Sequence, residues 1–205
     1  MSKMKEKKEC ICCSPGAVDI TGCRVSLYPM CDKFVDVILQ AVDKTDTSKV
    51  WSDTDHTSTI YRGRQSQVVN CVQALFVNAW RKNVHMVGEF TFSRGCPGDV
   101  EADSFLETDD IPCNVLEEIG EVKTFAKISF YAFGTSDYME HIRYIVELAA
   151  QKGLKPKSAH YVTIVEGSAN AIFTYFDEAL AYSKKHLSHY VLEATLSVNS
   201  PSVVK

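Results

Sequence analysis

The sequence predicts an α+β chain made of two tandem ferredoxin-like (ACT-like) βαββαβ repeats with antiparallel sheets. Three observations predict it. The chain repeats itself at a nearly fixed offset, both copies run through strand-period and helix-period segments in the same order, and an acidic connection separates them. Residues 24–30 resemble residues 127–133, with Ser26 matching Ser129 and Tyr28 matching Tyr131. From residue 50 to 98 the offset is 104 without a gap and gives ten identities in 49 positions. Among them His56 meets His160, Thr59 meets Thr163, Gly63 meets Gly167 and Glu89 meets Glu193.

Within the first copy, residues 24–28 alternate polar and apolar side chains, the period of a strand with one buried face. Asp32 reads as a helix N-cap, and Phe34, Val37, Ile38, Ala41 and Val42 follow at helical spacing. Residues 50–53 and 57–62 predict a hairpin with its turn near Thr54 to His56, closed by Gly63. Val68, Val69, Val72, Leu75, Phe76 and Ala79 mark a second amphipathic helix, and residues 85–93 a last strand. The second copy repeats the order, with helix positions Tyr138, Ile142, Ile145, Val146 and Ala149, then Ile172, Phe173, Phe176, Ala179 and Leu180. The predicted division is a flexible tail over 1–20, a first repeat over 21–98, an acidic connection over 99–123 and a second repeat over 124–205. Residues 95–122 hold nine acidic side chains and no Lys or Arg, which reads as an exposed linker; an ordered flap over a site is the rival.

Composition narrows the function. A net charge of −4 gives no support to polyanion binding, and the strands lack the basic-aromatic pattern of RNA readers. The first residues carry basic charge without an apolar h-region, and no run approaches a membrane span. The expected location is the cytoplasm, where eight cysteines are free thiols.

Strand period assigns side chains to faces. Val25 and Leu27 belong under the helices, and Ser26 and Tyr28 point the other way. The third strand is read with Ser58 and Ile60 inward and Thr57, Thr59 and Tyr61 outward. In the last strand Met86, Gly88, Phe90 and Phe92 go inward, leaving His85, Val87, Glu89, Thr91 and Ser93 outward. The second copy places Ser129, Tyr131, Thr163, Glu193, Thr195 and Ser197 on the same side. Hydroxyls, a carboxylate and an aromatic ring on one face suit a flat heterocycle, stacked on tyrosine and hydrogen-bonded at its nitrogens. Strand propensity alone also favours Thr and Tyr, so a solvated or subunit-facing sheet is the bland alternative. For the ligand bonds to matter the face must be sheltered, which suggests that two repeats or two subunits face each other.

Other constellations are weaker. Cys10, Cys12 and Cys13 lack the fourth ligand of a tetrahedral metal site. Cys96 has no base tied to it, and the repeated histidines His56/His160 and His85/His189 read as structural. No metal and no cofactor is expected, and there is no Walker-type or dinucleotide glycine pattern.

The stretches RVSLYPMCDKF, KTDTSKVWSDTDHTSTIYRG and FTFSRGCPGD, with SVNSPS closing the second copy, resemble the YkoF family of thiamine/hydroxymethylpyrimidine-binding proteins. The resemblance runs from about Cys13 to Ser202. It implies tandem ferredoxin-like domains, a homodimer, one pyrimidine or thiamine site per repeat, no catalysis, and a role in precursor uptake or salvage linked to a membrane transporter. The motif positions it carries over are Ser26, Tyr28, Thr59, Ser93, Cys96 and Asp99, then Ser129, Tyr131, Thr163, Ser197 and Asn199. Glu89, Thr91, Glu193 and Thr195 rest on the repeat and on strand geometry instead. The copies differ where Pro29 becomes Ala132 and Asp55 becomes Ala159, so their sites can differ in selectivity. Rival functions are an ACT-like regulatory module binding an amino acid, a small-molecule enzyme using Cys96 or the His/Glu pairs, and a purely structural oligomer.

Overall fold

Each repeat folds as β-α-β-β-α-β, and the two repeats join edge to edge. The computed structural model describes residues 19–94, 100–116 and 119–203. The first repeat comprises β1 (Thr21–Pro29), α1 (Phe34–Lys44), β2 (Trp51–Thr54), β3 (Thr59–Gly63), α2 (Gln65–Ala79) and β4 (Met86–Arg94). The second comprises β5 (Lys123–Phe133), α3 (Tyr138–Gln151), β6 (Lys157–Ala159), β7 (Val162–Ser168), α4 (Ala169–His186) and β8 (His189–Val198).

All eight strands form one antiparallel sheet in the order β2-β3-β1-β4-β8-β5-β7-β6. The seam is the pairing of β4 with β8, from Met86 opposite Val198 to Arg94 opposite Tyr190. Each repeat ends in a strand with an unpaired edge, and pairing the two satisfies both rows of backbone groups. The repeats therefore lie side by side; the suggestion that they face each other is wrong. Neither repeat therefore covers the open sheet face of the other.

The helices pack on the other face, adjacent in the order α1-α2-α4-α3. Cys23, Val25, Met86, Phe90, Phe92, Ala126, Ile128, Leu192, Ala194 and Leu196 point into that layer and are buried. An aromatic cluster spans the seam: Phe90 lies 5.8 Å from Phe76 of α2 and 5.5 Å from Phe173 of α4, and Phe92 lies 5.8 Å from Phe176. Rings from both repeats thus form one shared core. Gly88 is required by this packing, since a Cβ there would sit 2.8 Å from Phe90 Cε2 and 3.1 Å from Phe76.

Helix starts differ from the sequence reading. Asp32 does not cap α1, because the chain makes a turn through residues 31–33 and Lys33 is the N-cap, without a side-chain bond. Ser168 caps α4, accepting from the Ala171 N–H at 3.2 Å. The connection is pinned to the first repeat over residues 100–116. Arg64 pairs with Asp110 and donates to the Leu106 carbonyl at 3.0 Å, and Lys49 reaches Asp109 at 2.7 Å. Gln67 and Asn70 of α2 donate to the carbonyls of Asp109 and Asn114. Asp109 and Asp110 thus meet cations of the first repeat. No described helix is long and apolar enough to cross a membrane.

Candidate ligand-binding site

The strand register settles the faces, because directly opposed residues of an antiparallel pair share one. Ser26 lies opposite Glu89, Glu89 opposite Thr195, Thr91 opposite Glu193, and Glu193 opposite Ser129. These residues share the open side of the sheet, as their strand phase predicts. Glu89, Thr91, Lys127, Ser129, Glu193 and Thr195 border a depression of about 320 Å³ that bridges the repeats. Tyr28 donates to Glu89 at 3.2 Å. Tyr28 is 47 % and Tyr131 45 % exposed, so within one chain this face stands in solvent. Ser93 donates to the Tyr190 carbonyl at 3.3 Å, and Ser197 lies 3.1 Å from His85 Nε2, which ties both hydroxyls into the sheet.

Thr59 and Thr163 are on the other side, contrary to the sequence reading. Thr59 is opposite Val25 and Thr163 opposite Ile128, both of which face the helices. Tyr61 follows Thr59 inward and is buried opposite Cys23. A slip of one residue in pairing reverses every face, and alternation in the short, mixed segment 57–62 does not fix that phase. Thr59 spends its hydroxyl on Thr54, 2.9 Å away.

This register exposes a second feature. β1 pairs with β3 only as far as Val25, and β5 pairs with β7 only as far as Ile128. Ser26 and Ser129 are the next residues on each strand, and Tyr28 and Tyr131 stand two further on. In each repeat the matched Ser and Thr therefore flank the point where the hairpin leaves the strand. Beyond it, one strand edge runs on without a strand partner among the described residues.

In the second repeat that notch opens into a groove of about 600 Å³ between β5, α3 and the β6–β7 hairpin. Phe130, Met139 and Ile142 supply apolar wall; Ser129, Thr163, Arg143 and Glu147 supply polar groups. Tyr161 stands at the rim with φ 71° and a fully exposed side chain. A bulky residue in the left-handed region is strained, and such strain clusters at ligand clamps.

In the first repeat the corresponding turn is tied down. Arg24 donates to Asp55 and to Ser58 Oγ, each at 2.6 Å. Asp55 also accepts from the Thr57 N–H at 2.8 Å, the Thr57 hydroxyl at 2.7 Å and the Ser58 N–H at 3.0 Å. Ser26 donates to the Thr57 carbonyl at 2.9 Å. The Thr57 N–H and hydroxyl, then Arg24 and the Ser58 N–H, hold the Asp55 carboxyl well below the usual carboxylate range. Ala159, Tyr161 and Val162 replace Asp55, Thr57 and Ser58 in the second repeat, which removes this tie.

Asn199 commits its side-chain amide to the carbonyls of Arg81 and Val84, at 3.0 and 2.9 Å, from a left-handed backbone position at φ 53°. Those bonds give it an anchoring role in the loop before β4. Cys96 and Asp99 lie outside the described residues, as do Cys10, Cys12 and Cys13. His189 Nδ1 lies 2.6 Å from the Arg94 carbonyl, a bond across the seam. Among the described residues, no group of three or more His, Cys, Asp and Glu side chains could hold a metal ion. Sequence reasoning missed the groove residues Met139, Arg143, Glu147 and Tyr161. The signal for Arg143 and Tyr161 was their departure from the first repeat, at Leu39 and Thr57.

A model of the YKOF-related family matches residues 20–99 and again residues 123–203. The chain is also 37% identical over 189 residues to a Bacillus subtilis (strain 168) protein provisionally named as the HMP/thiamine-binding protein YkoF, covering 91% of this chain and 94% of that one. Two solved structures are more distant. One, from Thermotoga maritima and provisionally described as a thiamine biosynthesis/salvage protein, is 21% identical with a TM-score of 0.34, covering 36% of this chain and 81% of that one. The other, a hypothetical protein from Methanocaldococcus jannascii, is 19% identical with a TM-score of 0.36, covering 38% and 82%. Two family matches, one on each repeat, and a relative aligned over nearly the full length lead to one conclusion: this chain belongs to the YKOF-related family.

Proposed function

We propose that the chain reversibly binds thiamine or its hydroxymethylpyrimidine precursor, without catalysis, at the notch of each repeat. The observation that carries this reading is the position of the repeated Ser-x-Tyr: Ser26 and Tyr28, then Ser129 and Tyr131, stand where each strand edge runs free of its hairpin. A free strand edge offers N–H and C=O groups to a planar partner. An aminopyrimidine presents the matching set, ring nitrogens that accept and an exocyclic amine that donates. Hydroxyls of Ser129 and Thr163 add further partners, and Phe130 and Ile142 give the ring an apolar wall. The groove volume of about 600 Å³ lies in the range of small-molecule sites. Glu147 supplies a carboxylate for the positive charge of thiamine. The name of the Bacillus subtilis relative supports the same ligand class.

In this reading the open sheet face is where two chains meet as a homodimer. Half-exposed Tyr28, Tyr131 and Phe133 are apolar enough to bury, and Lys127 is available to the exposed Glu89 and Glu193 across the interface. The protein then acts as a cytoplasmic carrier or reservoir in uptake or salvage of thiamine precursors, receiving ligand that a membrane transporter brings in.

Isothermal titration with thiamine, hydroxymethylpyrimidine and a panel of free amino acids tests the function. Heat from the first two and none from the amino acids supports it; the reverse pattern favours a regulatory amino-acid module.

A further inference from the structure

The helices beside the two notches, α1 and α3, match in an acidic position and differ at a cationic one. Val37 and Ala41 are the buried positions of α1; His141 and Ile145 are their counterparts on α3, each 104 residues later. The same phase sets Glu147 against Asp43 and Arg143 against Leu39. Arg143 and Glu147 both border the second-repeat groove, beside Phe130, Ile142 and Thr163. Arg143 is exposed and makes no hydrogen bond or ion pair with any described residue, and Glu147 likewise. Leu39, in the first repeat, is 61% exposed and brings only apolar surface.

We propose that the second-repeat groove prefers the phosphate ester of the heterocyclic ligand, with Arg143 receiving the phosphate and Glu147 facing the cationic ring. The first repeat, with Leu39 at that place, takes the alcohol without preference. This rests on the binding function proposed above and adds a specificity to it. A guanidinium presents a planar fork of donors that matches phosphate oxygens two at a time, and it stays charged at any physiological pH. Arg143 needs no partner exchange to do so, since no described residue holds it. Glu147, one helical turn along α3, limits the site to ligands that carry positive charge with their phosphate. The loss of the Asp55 tie works in the same direction: with Ala159 in its place, no carboxylate stands at the hairpin turn to repel an anion.

The test is calorimetric titration of the full chain with thiamine and with thiamine monophosphate. The expected result is two thiamine sites per chain, one of which takes the monophosphate about five- to tenfold more tightly, the size of a well-formed but solvent-accessible charged contact. Arg143→Leu should abolish that preference, and Arg143→Lys should keep part of it. Leu39→Arg should create a second monophosphate-preferring site. An unchanged monophosphate-to-thiamine ratio in Arg143→Leu overturns the inference, as does a wild type that binds thiamine twice with no preference for the ester. Absence of binding by either compound overturns the underlying function, and this specificity with it.

Discussion

Arg24 of β1 donates to Asp55 of the β2–β3 turn at 2.6 Å, and this ion pair ties the tip of the first repeat's hairpin to β1. Asp55 simultaneously accepts from both the backbone and the hydroxyl of Thr57, so one carboxylate organises the whole turn. The second repeat has Ala159 there and opens a groove. Asp55→Ala should therefore loosen the first turn and weaken first-site ligand affinity by about three- to tenfold, the cost of ordering one or two side chains on binding. Calorimetry that resolves the two sites checks this, the second site serving as internal control.

The same carboxylate sets a pH dependence. Its folded-state pKa is depressed, chiefly by Thr57 and then by Arg24. Its stabilising effect on the turn is thus fully present above the ordinary aspartate value of about 3.9 and is lost only as pH falls through the lower folded value. Amide exchange at Thr57 and Ser58 should stay slow, relative to intrinsic rates, as pH falls past about 3.9. Turn opening at mildly acidic pH would contradict the assignment.

Gly88 tests the shared core. Its missing Cβ leaves room for Phe90 and Phe76, which meet edge to face at 5.8 Å. Gly88→Ala pushes the Phe90 ring off its contacts with both repeats and should cost about 1–3 kcal/mol, read by chemical denaturation. Because Phe90 also touches Phe173 of the second repeat, the variant should still unfold in a single transition.

Buried thiols give a third check. Burial is the main cause that raises Cys23 and Cys71, and Cys71 is pushed up to about 12. Both should resist alkylation in the native chain at pH 8 and react fully in denaturant, counted by mass spectrometry. Since the folded values are raised, ionisation in the unfolded chain above about pH 8.5 should erode stability as pH rises.

Much of the fold was legible because period and repeat agreed. Phe90 and Phe92 against Glu89 and Thr91 fixed the phase of β4, and the offset of 104 carried it to β8. Thr59 and Thr163 went to the wrong face because neither segment has a clean alternation; pairing with Val25 and Ile128 decides it. The groove was illegible for a different reason. Met139 and Arg143 become neighbours of Phe130 only when α3 crosses β5, a relation with no trace in local spacing. The side-by-side joining of β4 and β8 is also a tertiary choice, since either strand could equally pair with a second chain.

The open face supplies a prediction on assembly. Thr91 lies at its centre, opposite Glu193. If two chains meet on this face, Thr91→Arg places a bulky charge at the middle of the interface and should convert a dimer to a monomer in sedimentation equilibrium. An unchanged oligomeric state would place the contact elsewhere.

The most direct measurement is equilibrium titration of the wild-type chain with hydroxymethylpyrimidine, followed by competition with thiamine. The account predicts saturation at two molecules per chain, full displacement by thiamine, and recovery of both compounds unchanged. Saturation at one molecule per chain, or no binding of either compound, would contradict it.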